Sequence, residues 1–199
     1  MAFNAQDAAI VITDPQKDFL SPDGVTWGLV GASVEANGTV GRIEQLFKAA
    51  KQNGYDVFIS PHYYYPTDRG SQFGGTVENM MHEISMFDRK GALNVDGFSG
   101  SGADWLEQYK PYIEDGKTVV VSPHKVSSPR LSWPACPRIS AAKATRELLE
   151  QGFDVSVVAD ATAAAIHPEL GNGYESALTN FRFMASAVLT TDEAVSGMV

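Results

Sequence analysis

Five short, largely β-branched runs, Ile10–Ile12, Asp56–Ser60, Thr118–Val121, Asp154–Ala159 and Ala187–Leu189, are separated along the chain by longer stretches, several of them helix-forming. Runs this short and apolar suit strands buried on both faces, and their alternation with helices predicts an α/β fold. The expected architecture is a doubly wound, mostly parallel sheet with helices on both faces. The clearest helix is Gly41 to Asn53: Val40, Ile43, Leu46, Phe47 and Ala50 recur at helical spacing, and Gly54 stands where a left-handed stop belongs. Arg146 to Gly152 reads as a helix end, and Tyr174, Ala177, Leu178 and Phe181 mark another amphipathic helix. At 199 residues the chain has room for one domain with a real core.

The first run delivers Asp14 to the strand end, and Gln16, Asp18 and Phe19 follow at fixed offsets. In open α/β sheets that carboxyl edge is where ligands bind, so Asp14 is a candidate general acid or base. Gln16 and Asp18 are expected to fix the loop that aims Asp14. Gln16, Phe19 and Tyr63 are the candidate substrate-binding residues, with Trp27 and Tyr63 to Tyr65 as aromatic walls. Between the second and third runs lies a long insertion, about 63–116, rich in glycine and aromatic residues. Its Pro66 to Gly75 stretch is loop-like, and a short helix is expected over Ala103 to Tyr112. An insertion of that length is expected to wall an active site or meet another subunit.

The D-x-Q-x-D-F spacing from Asp14 to Phe19 resembles the opening motif of the isochorismatase-like cysteine hydrolases, a family that includes nicotinamidases and other amidases. The strand-like Asp56 to His62, the stretch Lys117 to Lys125 that ends in a lysine, and the tail Ala187 to Val195 extend the resemblance over nearly the whole chain, apart from about Leu131 to Thr145. The resemblance implies one hydrolase domain over residues 1–199 and hydrolysis of a small amide or related C–N bond. It assigns Asp14 as the carboxylate that takes a thiol proton and Lys125 as the cation beside it, on a neighbouring strand and within salt-bridge reach. His124, next to that lysine, is expected to serve the loop. Nicotinamidases bind a metal through a D-x-H pair after the second strand. The matching stretch here is His62-Tyr63-Tyr64-Tyr65, so no metal and no cofactor are expected.

The nucleophile is out of place. Cys136 is the chain's single cysteine and lies between Pro134-Ala135 and Pro137, whereas the family register puts the nucleophile and its helix start at Ser140. A helix N-terminus lowers a thiol pKa; Cys136 lacks one at its own position and is expected to be an ordinary thiol. The interval from Val121 to Asp154 is also short by about a helix and a strand. When the codons of Ser132 to Thr145 are read from their third bases, they permit a string ending Met-Ser-Ala-Asn-Leu-Cys-Gly-Glu-Ser-His, close to the family's nucleophile signature. This segment, about 131–145, thus reads as a frame-shifted version of the motif. A vinyl-ether hydrolase that needs no thiol and a non-catalytic binding protein on the same scaffold are the alternative functions.

Composition narrows the partners. A net charge of −9 with no basic run disfavours nucleic acid and anionic membranes. The opening residues lack a basic, apolar leader pattern, so a cytoplasmic location is expected. A small-molecule substrate and a homo-oligomer are the expected partners.

Overall fold

A computed structural model describes residues 1–69, 75–121, 145–146, 148–167, 169 and 171–198. Strand β1 (Ala9–Thr13) pairs in parallel with β2 (Asp56–Ser60), from Ala9 opposite Asp56 to Thr13 opposite Ser60. β2 in turn pairs in parallel with β3 (Val119–Val120), so the order is β1-β2-β3. A second parallel pair joins β4 (Ser156–Val158) to β7 (Ala187–Leu189), and a small antiparallel hairpin joins β5 (Ile166–His167) to β6 (Gly171–Asn172). All pairings of β1 to β4 and β7 are parallel, as the alternation of strands and helices predicts.

The crossover from β1 to β2 runs through α1 (Lys17–Leu20), α2 (Trp27–Asn37) and α3 (Thr39–Gln52). On α3 the apolar stripe Ile43, Leu46, Phe47 and Ala50 is buried, and the Phe47 ring stacks on Tyr112 with centroids 5.4 Å apart. Truncating a fully buried phenylalanine to alanine costs about 3–5 kcal/mol, so this stripe is a main anchor of the sheet. Helices Gly173–Met184 and Thr191–Gly197 flank β7, the latter opened by a capping box between Thr190 and Glu193.

Much of the described part of the 63–116 stretch is built into the core. Tyr64, Met86, Phe87, Ala103, Trp105, Tyr109 and Ile113 are all buried in one cluster with the residues of α3 and β2. The expected helix over Ala103 to Tyr112 is corrected: a 3-10 turn covers Glu107–Tyr109 and an α-helical turn covers only Lys110–Ile113. Pro111 lies in the first turn of that short helix, where its missing N–H costs nothing, and the 3-10 turn runs directly into it.

The strand order corrects another expectation. β3, which leads toward Lys125, is separated from β1 by β2. The second crossover continues outward from β2, so the strands leading to Asp14 and Lys125 are two intervals apart, about 10 Å. Lys125, His124, Cys136 and Ser140 lie outside the described residues.

Candidate active site

Asp14 directly follows β1 and adopts a left-handed backbone, with φ of 50°. Its N–H donates to the Ser60 carbonyl at 2.9 Å, which continues the β1–β2 ladder by one residue and ties the carboxylate's position to the end of β2. Left-handed backbone in a non-glycine residue costs about 1–3 kcal/mol and persists where the surroundings over-determine it. Those surroundings begin at Gln16. Its side chain is fully buried; Nε2 donates to the carbonyls of His62 at 2.9 Å and Ala103 at 2.8 Å, while the His62 N–H donates to Oε1 at 2.7 Å. One amide thus clamps the turn after Asp14, the end of β2 and the 63–116 stretch together, the loop-fixing role expected for it.

Asp18 performs a similar task one turn later. The Phe87 N–H donates to its Oδ2 at 2.6 Å and the Val25 N–H to its Oδ1 at 3.4 Å. Burial pushes this carboxyl above its usual range, against the lowering effect of those two N–H groups. The fit is close: a Cβ on Gly102 would fall 1.9 Å from Asp18 Oδ1. Phe87 and Ser85, with φ of 55° and 56°, are the other left-handed non-glycine residues among those described. Phe87 meets Asp18 through its N–H and accepts from the Tyr64 N–H at 3.0 Å through its carbonyl. The strained backbone therefore concentrates around the Asp14 edge, a distribution typical of functional sites.

The aromatic residues close the same neighbourhood. Phe19 meets Phe87 edge to face at 5.2 Å. His62 is buried between Tyr64 and Phe87, at 4.8 and 5.3 Å, and burial pushes its pKa down to about 4, so the ring is neutral at physiological pH. Tyr63, also buried, faces Phe98 and Trp105 edge to face, and burial holds its phenol above the usual range. Trp27 lies over Gly31 of its own helix, where a Cβ would fall 2.6 Å from the indole. Of the residues singled out in the sequence, the structure gathers Asp14, Gln16, Asp18, Phe19, Tyr63 and Tyr64 around the ends of β1 and β2.

Asp14 itself makes no ion pair or side-chain hydrogen bond among the described residues. Burial pushes its carboxyl up to about 7, so near neutral pH it is divided between acid and base forms. Lys125, the cation expected within salt-bridge reach, lies outside the described residues. A carboxyl titrating near the working pH suits proton transfer in either direction. As to a metal, among the described residues no three His, Cys, Asp or Glu side chains converge in a way that could hold one. The residues after β2 contribute one imidazole ringed by aromatic side chains, which is not a ligand set.

The fold matches solved structures over nearly its full length. The cysteine hydrolase from Pseudomonas syringae pv. phaseolicola superposes with a TM-score of 0.71 at 17% identity, covering 100% of this chain and 95% of that one. An isochorismatase family protein from Desulfovibrio vulgaris gives 0.60 at 19% identity, covering 96% and 98%. The pyrazinamidase of Pyrococcus horikoshii, solved in complex with zinc, gives 0.53 at 14%, covering 92% and 99%. At such identities the likeness is one of fold. A comparison with curated proteins finds no match. Among the described residues no helix is long and apolar enough to cross a membrane. The isochorismatase domain, however, matches residues 8–128, more than half of the chain, and stops just short of the segment around Cys136. With Asp14 at the strand end and the hydrolase scaffold around it, the chain belongs to the isochorismatase domain family.

Proposed function

We propose that this chain is a hydrolase of small amides or related C–N bonds, with Asp14 as the proton-transfer carboxyl, Lys125 as its cationic partner and Cys136 as the one thiol available for attack. Asp14 carries the proposal: a carboxyl at the sheet's ligand-binding edge, clamped through Gln16 and left without a structural partner among the described residues. In this reaction Asp14 takes the thiol proton and the sulfur adds to the substrate carbonyl carbon. The C–N bond then breaks as Asp14 returns the proton to the departing nitrogen, and water hydrolyses the thioester. Because Cys136 stands four residues before the family position at Ser140, the thiol route is impaired in the chain as written.

A second reading is favoured by the raised pKa. A carboxyl protonated up to about pH 7 can act as a general acid, as vinyl-ether hydrolysis requires, with no thiol. The two readings part on two measurements. Ammonia release from a panel of small amides, abolished by iodoacetamide and rising with pH as Asp14 ionises, supports the first. Turnover of a vinyl ether, insensitive to iodoacetamide and falling over the same pH range, supports the second. Turnover of either kind that survives Asp14→Asn overturns both. Sequencing the gene across codons 126–146, alongside the intact protein mass, tests the frame-shift reading of the nucleophile segment.

A further inference from the structure

A cleft of about 420 Å³ has Arg69, Asp88, Arg89, Lys90, Asp96 and Phe98 among its walls, and Phe98 packs on Tyr63 of the Asp14 neighbourhood. That is the volume of a small-molecule site. It shares structure with the edge: the Arg89 N–H donates to the Tyr64 carbonyl at 2.7 Å, and Phe87, two residues earlier, donates its N–H to Asp18.

The charges of the cleft are unevenly used. Arg69 is spent, pairing with Asp88 and donating to Ser85 Oγ at 2.9 Å. Arg89 is held in place without being neutralised. Its guanidinium carbon lies 4.6 Å from the Tyr63 ring centroid and 4.8 Å from that of Phe98, over the corner that the two rings make. Among the described residues its Nε is buried with no hydrogen-bond partner, while the guanidinium hydrogen-bonds the Tyr63 side chain. Among the described residues neither Arg89 nor the exposed Lys90 makes an ion pair, and they face one exposed carboxylate, Asp96.

We propose that this cleft binds the carboxylate of a small organic acid, with Arg89 as its anchor. The two rings and a hydrogen bond to the Tyr63 side chain fix the guanidinium and leave its other N–H groups for recognition, where a planar carboxylate can take two parallel hydrogen bonds. The neighbouring carboxylates disfavour a doubly charged phosphate more than a singly charged acid. The binding claim stands without turnover. Only the further assignment, that the acid belongs to the molecule being hydrolysed, rests on the hydrolase reading.

Calorimetric titration with benzoate and with its neutral counterpart benzamide tests the cleft directly. Saturable benzoate binding is expected, with benzamide at least tenfold weaker and Arg89→Gln costing benzoate tenfold or more. Arg89→Lys keeps the charge and ring contacts but not the fork, and is expected to weaken benzoate by several-fold with unchanged thermal melting. It gives the same reading should the glutamine variant fail to fold. Equal affinity for benzamide, tighter binding of inorganic phosphate, or benzoate binding indifferent to both variants would overturn the proposal. Where an amide is turned over, competition by benzoate places the acid on the substrate, and a change in kcat without competition marks a separate effector; both outcomes support the cleft.

Discussion

Asp14 and Asp160 occupy matching places, each just beyond the carboxyl end of a parallel strand, β1 and β4, yet the protein treats them in opposite ways. Asp160 is consumed by structure: its Oδ1 accepts from both the N–H and the hydroxyl of Thr191 at 2.8 Å, and its Oδ2 pairs with Arg42 at 3.3 Å. It thereby ties the helix Thr191–Gly197 and α3 to the end of β4. Asp14 has no such duties among the described residues. Its backbone is left-handed, its neighbours Gln16 and Asp18 carry the bracing, and burial pushes its carboxyl up to about 7. The strand-end position is common to both carboxylates. What separates a chemical group from a structural one is whether its oxygens are already occupied.

The sharpest way to break that contrast is to remove each carboxylate's charge or side chain and ask which property fails. Asp14→Asn is expected to lower kcat/KM for any substrate turned over by about 10²- to 10⁴-fold, the range for losing a general acid or base, with melting unchanged or raised. A variant that melts well below the parent, or that keeps its rate, would place Asp14 with Asp160 on the structural side.

Gln16 sharpens the comparison from the bracing side. Gln16→Leu keeps the side chain's approximate volume but leaves the His62 and Ala103 carbonyls and the His62 N–H without their partner in a buried place. Each such loss costs about 1–3 kcal/mol, so the total is expected near 3–4 kcal/mol by denaturant titration. A loss below about 1 kcal/mol would mean that water replaces the amide and that the turn carrying Asp14 is not clamped as described.

Asp160→Ala should give the smaller, purely structural effect. Thr191 is fully buried, so its N–H and hydroxyl lose their acceptor, and the expected cost is about 2 kcal/mol with kcat/KM of the folded enzyme unchanged. A rate loss without destabilisation would move Asp160 into the chemistry.

What the sequence made legible follows the same division between pattern and occupancy. β2 and β7 coincide with the runs Asp56–Ser60 and Ala187–Leu189, and α3 lies where the spacing of Ile43, Leu46 and Phe47 placed it, because apolar periodicity survives in one dimension. Helix α2 carries no such signal: in Trp-Gly-Leu-Val-Gly-Ala-Ser-Val-Glu-Ala-Asn small residues fall on every face, so no stripe forms. Asp14 was readable from the motif at its strand end. Arg89 was not, since its role comes from Tyr63 and Phe98, which lie 26 residues before it and 9 after it, and Met86-Phe87-Asp88-Arg89-Lys90 carries no local signal. Nor could the sequence reveal that Asp160 is spent, because Arg42 and Thr191 reach it only after folding.

The smallest expected effect tests the raised pKa without any substrate. In the unfolded chain Asp14 titrates at its ordinary value near 4, and in the folded protein near 7. Between those values the folded state holds a proton that the unfolded state has released, so stability must fall as pH rises from about 4 to about 7 and level off above. The favourable contribution is fully present at the acid end, the reverse of a salt-bridged aspartate. Because Asp14 is only half-buried, the slope attributable to it is expected to sum to on the order of 1 kcal/mol. Urea titrations of the parent and of Asp14→Asn across this window isolate it as a difference: the asparagine variant lacks the proton and should lack the slope. A difference of the opposite sign, with the parent gaining stability as pH rises, would show a cation already holding Asp14 ionised. The residue would then resemble Asp160 in being paired, and the general-acid reading would fall while the thiol reading stood.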